Sequence, residues 1–134
     1  MAFDWREFFL FAHELRNEPE ERKQRTAIGR AYYYVYNAAK IEAQKLGFNE
    51  KDPSLRRMGL HQRLWSWCQN HNNPDIVTLG DSGNTLKARR TSADYYALPS
   101  PPALQTVQKQ LDETRDFEVL LAQITNTNPP PPLP

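Results

Sequence analysis

Apolar side chains recur at intervals of three and four residues along most of the chain, which is the spacing of amphipathic helices. In residues 3–16 the stripe consists of Trp5, Phe8, Phe9, Ala12 and Leu15. A longer second helix is expected from about Pro19 to Leu46, because acidic residues suit its first turn and Gly47 supplies a stop. The N-terminal third of the chain therefore predicts two helices.

Bulky or apolar residues occur on nearly every side of the second helix between Ala27 and Ala39, which predicts that it is the central and most buried helix. Gly29 lies inside this stretch and costs about 1 kcal/mol of helix stability relative to alanine. A glycine at such a position is typical of a close crossing of two backbones. We therefore expect a neighbouring helix to cross at Gly29.

The middle of the chain predicts shorter helices. A third helix is expected over 60–70, with Leu64, Trp67 and Cys68 on its buried side. The run 76–79 predicts one helical turn that Gly80-Asp81-Ser82-Gly83 interrupts, and a further helix follows over 84–97.

Prolines within 99–102 end that helix, and Ser100 is expected to cap the last one, whose apolar stripe continues to about Asn126. Residues 128–134 read Asn-Pro-Pro-Pro-Pro-Leu-Pro and cannot donate the backbone hydrogen bonds of a helix. The sequence thus predicts one helical domain over 1–127, followed by a disordered Pro-rich tail.

Composition narrows the class of protein. A chain of 134 residues is long enough for one core, and the single Cys68 excludes an internal disulfide, which fits a cytoplasmic location. The formal charge of +1 supplies no overall field that attracts nucleic acid, so any RNA contact must come from a local patch. The sequence has no apolar run long enough to span a membrane and no metal-ligand spacing, so neither a membrane, a metal nor a cofactor is expected.

Two segments combine arginine with tyrosine. The first, over 25–40, reads Arg-Thr-Ala-Ile-Gly-Arg-Ala-Tyr-Tyr-Tyr-Val-Tyr-Asn-Ala-Ala-Lys, and the second, over 89–96, reads Arg-Arg-Thr-Ser-Ala-Asp-Tyr-Tyr. Helical spacing places Arg90 on a face shared with Leu86 and Ala93. An arginine on an apolar face needs an ion-pair partner or a bound ligand that compensates its charge.

Together the two segments resemble the HEPN family of small prokaryotic helical proteins. The first matches through Arg25, Ala27, Ile28, Arg30, Ala31, Tyr32 and Tyr33, and the second through Arg90, Ala93, Asp94 and Tyr95. The resemblance covers about residues 3–126. It implies an up-and-down bundle of four to five helices, frequently dimeric, in toxin–antitoxin, CRISPR-linked and other antiviral systems, whose active members cut RNA without metal.

The resemblance places Arg90 at the mouth of a dimer cleft as a phosphate contact, although an ordinary helical ion pair with Asp94 is the simpler explanation of the spacing. The family's nuclease motif needs a histidine after this arginine, and Asp94 stands in its place. A carboxylate of ordinary pKa about 3.9 is a poor base at pH 7 and repels phosphate. We therefore expect an RNA- or protein-binding subunit without the family's nuclease chemistry.

Two alternatives remain open. One is a metal-independent ribonuclease toxin that uses Arg90 with Asp94 or with a histidine from another helix, and the other is a scaffold subunit of a larger complex. His61 follows Arg56 at a spacing the motif permits, but such matches arise by chance, and a histidine at a helix start is more often packed or capping than catalytic.

The candidate residues fall into two groups. Arg90 and Asp94 are the catalytic candidates, and the RNA- or partner-binding candidates are Arg25, Arg30, Tyr33, Lys87, Arg89 and Tyr95. Tyrosines inside a central helix are more commonly core residues than base-stacking ones. Phe11 falls off the core stripe of the first helix, which favours a homodimer or a complex with a partner protein.

Overall fold

Helix α2, Glu21–Lys45, is the centre of the fold and packs against all four of the other helices. The computed structural model describes residues 3–96 and 103–134, in which there are five α-helices and no strand. The other helices are α1 (Arg6–Glu14), α3 (Leu60–Gln69), α4 (Pro74–Tyr95) and α5 (Ala103–Thr125). The predicted all-α bundle is confirmed, and so is the central position of the second helix.

The core consists of two clusters arranged along α2. One cluster includes Ala27, Ile28 and Ala31 of α2, which pack with residues of α1, with one residue of α4 and with the first turns of α5. The other includes Tyr32 and Val35 of α2, which pack with α3, with α4 and with Phe117 of α5. One long helix therefore joins two cores, one completed by α1 and the other by α3.

Helix α2 ends at the predicted glycine. Gly47 has a φ of 104°, a left-handed conformation that favours glycine. Its N–H donates to the carbonyl of Gln44, and the N–H of Phe48 donates to the carbonyl of Ala43. These two bonds form a Schellman motif, and the burial of Phe48 completes it.

Helix α4 is continuous where an interruption was predicted. Residues 74–95 form one helix, and Gly80 and Gly83 lie inside it, buried against α3. A Cβ atom at Gly83 would lie 2.4 Å from ring carbons of Trp65, and one at Gly80 would lie 2.8 Å from the Cβ of Cys68. The prediction was wrong because these glycines do not break the helix but allow two helices to approach closely.

Two further packing predictions are corrected. Among the described residues, the Cβ of an alanine at Gly29 would meet only the Asp94 carboxylate, at 4.0 Å, and no described backbone of another element comes within 4 Å of it. In α3 the fully buried tryptophan is Trp65, whereas Trp67 is only partly buried at the edge of its cluster. Helix α3 is rotated relative to the prediction because it packs onto the two glycines of α4.

A buried carboxylate joins α1, α2 and α5. Glu118 is 3% exposed and accepts hydrogen bonds from Arg6 Nε at 2.6 Å, from the Tyr34 hydroxyl at 2.6 Å and from Arg115 Nη1 at 3.0 Å. The bond to Glu118 raises the pKa of the Arg6 guanidinium, so the guanidinium stays charged. We call these four residues the Glu118 cluster.

The tail lies beside this cluster. Residues 128–134 form no helix or strand, but the carbonyl of Pro131 accepts from Arg6 at 2.6 Å and that of Pro130 accepts from Arg115 at 2.6 Å. Leu133 packs against the core cluster that includes Phe9 and Ala12 of α1. The tail therefore makes contacts with α1 and α5 that were not expected for a free extended segment. The predicted helix end within 99–102 and the predicted cap at Ser100 lie outside the described residues.

Candidate functional site: the seam between α2 and α4

The two arginine–tyrosine segments face each other along the contact between α2 and α4, which run antiparallel. Arg25 Nη1 donates to the carbonyl of Ala93, and eight residues further along α2 the Tyr33 hydroxyl accepts from Arg90 Nη2 at 2.6 Å. Segments about sixty residues apart in sequence thus meet in one place. We call this surface the seam.

Arg90 is the centre of the seam. Its guanidinium carbon lies 5.1 Å from the centre of the Tyr33 ring, and its Nε lies 2.9 Å from a carboxylate oxygen of Asp94. The Nε–H is nonetheless a buried donor without a hydrogen bond, because its direction does not suit that oxygen. Arg90 and Asp94 therefore form the ordinary i,i+4 ion pair, and one donor of the arginine stays unsatisfied within the described residues.

A pocket of about 460 Å³ opens at one end of the seam. Gly29 lies in its lining together with the side chains of Arg25, Arg30, Tyr33 and Asp94. Arg25 is held by Glu21 at 2.7 Å, whereas the exposed Arg30 has its guanidinium 4.9 Å above the Phe8 ring. This pocket gathers the candidates of the first segment and Asp94 of the second around one cavity.

His61 lies at the other end of the seam, on the far side of Tyr33. Its ring stacks on Tyr36 with the ring centres 3.8 Å apart and meets the Tyr33 ring edge-on at 6.0 Å. His61 Nδ1 lies 2.7 Å from the hydroxyl of Tyr32, and that hydroxyl accepts from the indole N–H of Trp65 at 3.0 Å. Because the Tyr32 oxygen already accepts the indole N–H, the Tyr32 hydroxyl donates its own proton to Nδ1 of His61. The neutral His61 ring therefore carries its proton on Nε2.

Burial and nearby cations keep His61 neutral. Desolvation, together with the positive charges of Arg90, Lys87 and Lys40, lowers its pKa to about 4. His61 is half-buried one residue after the start of α3, and its Nε2 makes no hydrogen bond and is not a buried atom among the described residues. At pH 7 this histidine is therefore a neutral donor beside three cations.

The seam carries more positive than negative charge. Its cations are Arg25, Arg30, Lys40, Lys87 and Arg90. Three of them are paired, with Glu21, Glu50 and Asp94. Neither Arg30 nor Lys87 has a carboxylate within ion-pair distance in the part of the chain that the structure describes. A local basic surface therefore exists on a chain that is nearly neutral overall.

Two of the predicted binding residues lie elsewhere. Arg89 points to α5, where it donates to Gln110 at 2.7 Å and pairs with Glu113 at 2.9 Å, so it fastens α4 to α5. Tyr95 is 72% exposed near the C-terminal end of α4 and is absent from the pocket lining. Sequence reasoning gave His61 no place at this site, and no local signal could have done so, because only the packing of α3 brings it to the seam.

The described residues hold no group of three histidine, cysteine or acidic side chains suited to a metal ion. None of their helices combines the length and the apolar character needed to cross a membrane. What the seam can do chemically is to bind an anion through guanidinium, ammonium and imidazole N–H groups, beside a tyrosine ring. Comparison of the chain with protein-family models, with curated proteins and with solved structures finds no significant match.

Proposed function

We propose that this protein is a HEPN-type helical module of a prokaryotic defence, CRISPR-linked or toxin–antitoxin system that binds RNA along the seam and lacks the family's nuclease chemistry. The observation that carries the proposal is the meeting of Arg25, Arg30 and Tyr33 with Arg90 and Asp94 on one surface. The biological setting comes from the resemblance to the HEPN family, and the proposed cytoplasmic location rests on the single cysteine, Cys68.

Charge and shape favour RNA as the ligand of the seam. Arginine and lysine neutralise phosphates, and tyrosine rings stack on bases, so a cationic surface with a tyrosine is suited to a single strand. The unpartnered cations Arg30 and Lys87 lie towards opposite ends, which suits an extended polyanion better than a compact anion. A partner protein with an acidic segment is the competing occupant.

The test is binding of a short labelled single-stranded RNA, followed by fluorescence anisotropy at several salt concentrations. The double variant Arg30→Gln/Lys87→Gln removes two cations without breaking an ion pair of the described residues. We expect weaker binding and a slope of log affinity against log salt that is shallower by about 1.4, since each phosphate contact on a single strand contributes about 0.7.

The matched control is Arg57→Gln/Lys109→Gln, which removes the same charge from two exposed positions outside the seam pocket. It should leave both the affinity and the salt slope nearly unchanged. Equal losses of RNA affinity in the two double variants would show that net charge alone attracts RNA. Absence of RNA binding by the native protein would contradict the RNA proposal.

A ribonuclease is the second candidate, because His61 from another helix lies near Arg90, with Tyr33 between them. Two facts count against it: Asp94 pairs with the arginine, and a histidine with a pKa of about 4 is a weak base at neutral pH. We expect no RNA cleavage by the purified protein. Cleavage that disappears in Arg90→Ala, with the fold intact, would establish the nuclease instead.

We also propose a homodimer or a stable complex with a partner protein. Phe3 and Phe11, beside and on α1, are 52% and 43% exposed, so this side of the protein offers apolar surface that a partner could cover. Light scattering at tens of micromolar protein tests this proposal. A monomer that co-purifies with no other protein would contradict it.

A further inference from the structure

The His61 end of the seam holds polar groups from three helices. Arg90 and Lys87 come from α4, Tyr33 comes from α2, and His61 comes from the start of α3. Tyr33 links them, since its hydroxyl accepts from Arg90 at 2.6 Å and its ring meets the imidazole of His61 at 6.0 Å. No helix by itself could assemble this group.

Each of the three cationic or donor groups retains capacity for a ligand. The Arg90 side chain is 19% exposed, and its Nη1 makes no hydrogen bond within the described residues, whereas its buried Nε faces Asp94. Lys87 has no carboxylate partner among residues 3–96 and 103–134. His61 uses Nδ1 for the Tyr32 hydroxyl and keeps Nε2 for a ligand. An anion with several oxygens would satisfy all three groups at once.

The carboxylates near this end have ion-pair partners. Asp94 is paired with Arg90, and Glu50 is paired with Lys40 at 3.1 Å, although the buried Oε2 of Glu50 accepts no hydrogen bond of suitable geometry. The tyrosines that face His61 from α2 are Tyr32, Tyr33 and Tyr36. Burial raises the pKa of Tyr36 to about 12, so it adds no negative charge at neutral pH.

We propose that Lys87, Arg90 and His61 bind one phosphate group, and that its source is the backbone of a single-stranded RNA. This inference rests on the proposed function for the identity of the ligand, but the binding site itself stands on the three residues. Arg90 and Lys87 supply the charge, and the neutral imidazole donates its Nε2–H. His61 is thus a binding residue rather than a catalytic base.

A bound phosphate has a measurable effect on His61. The cations that keep the imidazole neutral would be neutralised by the phosphate, and a negative charge within about 4 to 6 Å favours the protonated ring. The pKa of His61 should therefore rise by about one pH unit or more when phosphate is bound. Proton NMR of the imidazole Hε1 gives this value directly in the folded protein.

The experiment titrates His61 by NMR in the free protein, with inorganic phosphate and with a short single-stranded RNA, while anisotropy records RNA binding separately. In the free protein Lys87→Gln should raise the pKa of His61, because it removes a nearby positive charge, whereas Lys109→Gln should not. With RNA present, Lys87→Gln should reduce the rise and Lys109→Gln should preserve it.

The outcomes separate the site from the function. A rise with RNA, whether or not inorganic phosphate produces one, supports the site and its proposed source. A rise with inorganic phosphate alone supports the site but assigns it to a free phosphate and overturns the RNA source. RNA that binds by anisotropy without moving the titration of His61 overturns the site while the proposed function stands, and no effect of either ligand overturns both.

Discussion

Tyr33 and Tyr34 are adjacent in sequence but belong to two ionic clusters on different sides of α2. Tyr34 donates to Glu118, whose side chain is 1% exposed and is held by two arginines. Tyr33 accepts from Arg90, whose carboxylate partner Asp94 is 36% exposed. The same types of residue thus form a closed cluster on one side of the helix and an open one on the other.

The two clusters differ in how many of their charged atoms have hydrogen-bond partners. In the Glu118 cluster both carboxylate oxygens accept hydrogen bonds, and the arginines have further acceptors in the tail. In the seam a buried arginine donor is unsatisfied, and a pocket opens beside the carboxylate. A closed cluster stabilises the fold, whereas an open one has capacity left for a ligand.

The largest expected effect is on the closed cluster. Glu118→Ala leaves Arg6 and Arg115 without their carboxylate, and removing one partner of a buried pair costs about 3 kcal/mol. Asp94→Asn is the matched change in the open cluster and should alter the free energy of unfolding by less than about 0.5 kcal/mol. Urea unfolding followed by circular dichroism measures both, and equal losses would remove the distinction between the clusters.

Two glycines provide the next contrast. Gly83→Ala places a methyl group against the ring of the buried Trp65 and should destabilise the protein by about 2 to 3 kcal/mol. Gly29→Ala adds a methyl group to the open pocket, where nothing closer than Asp94 at 4.0 Å obstructs it, and should stabilise α2 by about 0.5 to 1 kcal/mol. Thermal unfolding of the two variants tests the contrast, which fails if both melting temperatures change in the same direction.

The acid dependence of stability tests the His61 end of the seam. The folded pKa of about 4 lies below the ordinary value of 6.5, so between these values the unfolded chain binds the proton more readily. His61 therefore contributes stability above pH 6.5 that is lost as the pH falls towards 4. After a discount for solvent screening the loss is about 2 kcal/mol.

His61→Gln should flatten this part of the pH profile, while carboxylates elsewhere continue to titrate in both proteins. The measurement is the difference in unfolding free energy between native protein and variant, taken at pH 7 and again at pH 4.5. A difference that is the same at both pH values would show that His61 is not held neutral by the fold.

The smallest expected effect concerns the tail. Removing residues 129–134 takes away the two proline carbonyls that accept from Arg6 and Arg115, together with the packing of Leu133. We expect a loss of about 1 kcal/mol, which a shift in the urea midpoint would record. Leu133→Ser, which keeps both carbonyls, separates the two contributions, and an unchanged midpoint in the truncated protein would show that the closed cluster does not need the tail.

The candidate site could be predicted in part from the sequence. The Arg90–Asp94 pair follows from i,i+4 spacing, and helical periodicity placed Arg90 on a mostly apolar face. That Arg25 and Tyr33 meet this face was not predicted, because spacing within one helix does not tell which helix lies beside it. The opposite direction of Arg89 could not be predicted, because its partners Gln110 and Glu113 lie on another helix.

By itself the sequence determined the all-helical class, the stop at Gly47 and the burial of α2, because helix formation and capping depend on neighbours within a few residues. Only the tertiary structure decided that α3 packs on Gly80 and Gly83 and that Glu118 meets Arg6, 112 residues away. The tertiary structure also decided that His61 lies beside Tyr33, which accepts from Arg90. The physical reason is that these features depend on which helix faces which, and such a choice is set by the packing of the whole core and leaves no periodic trace in the chain.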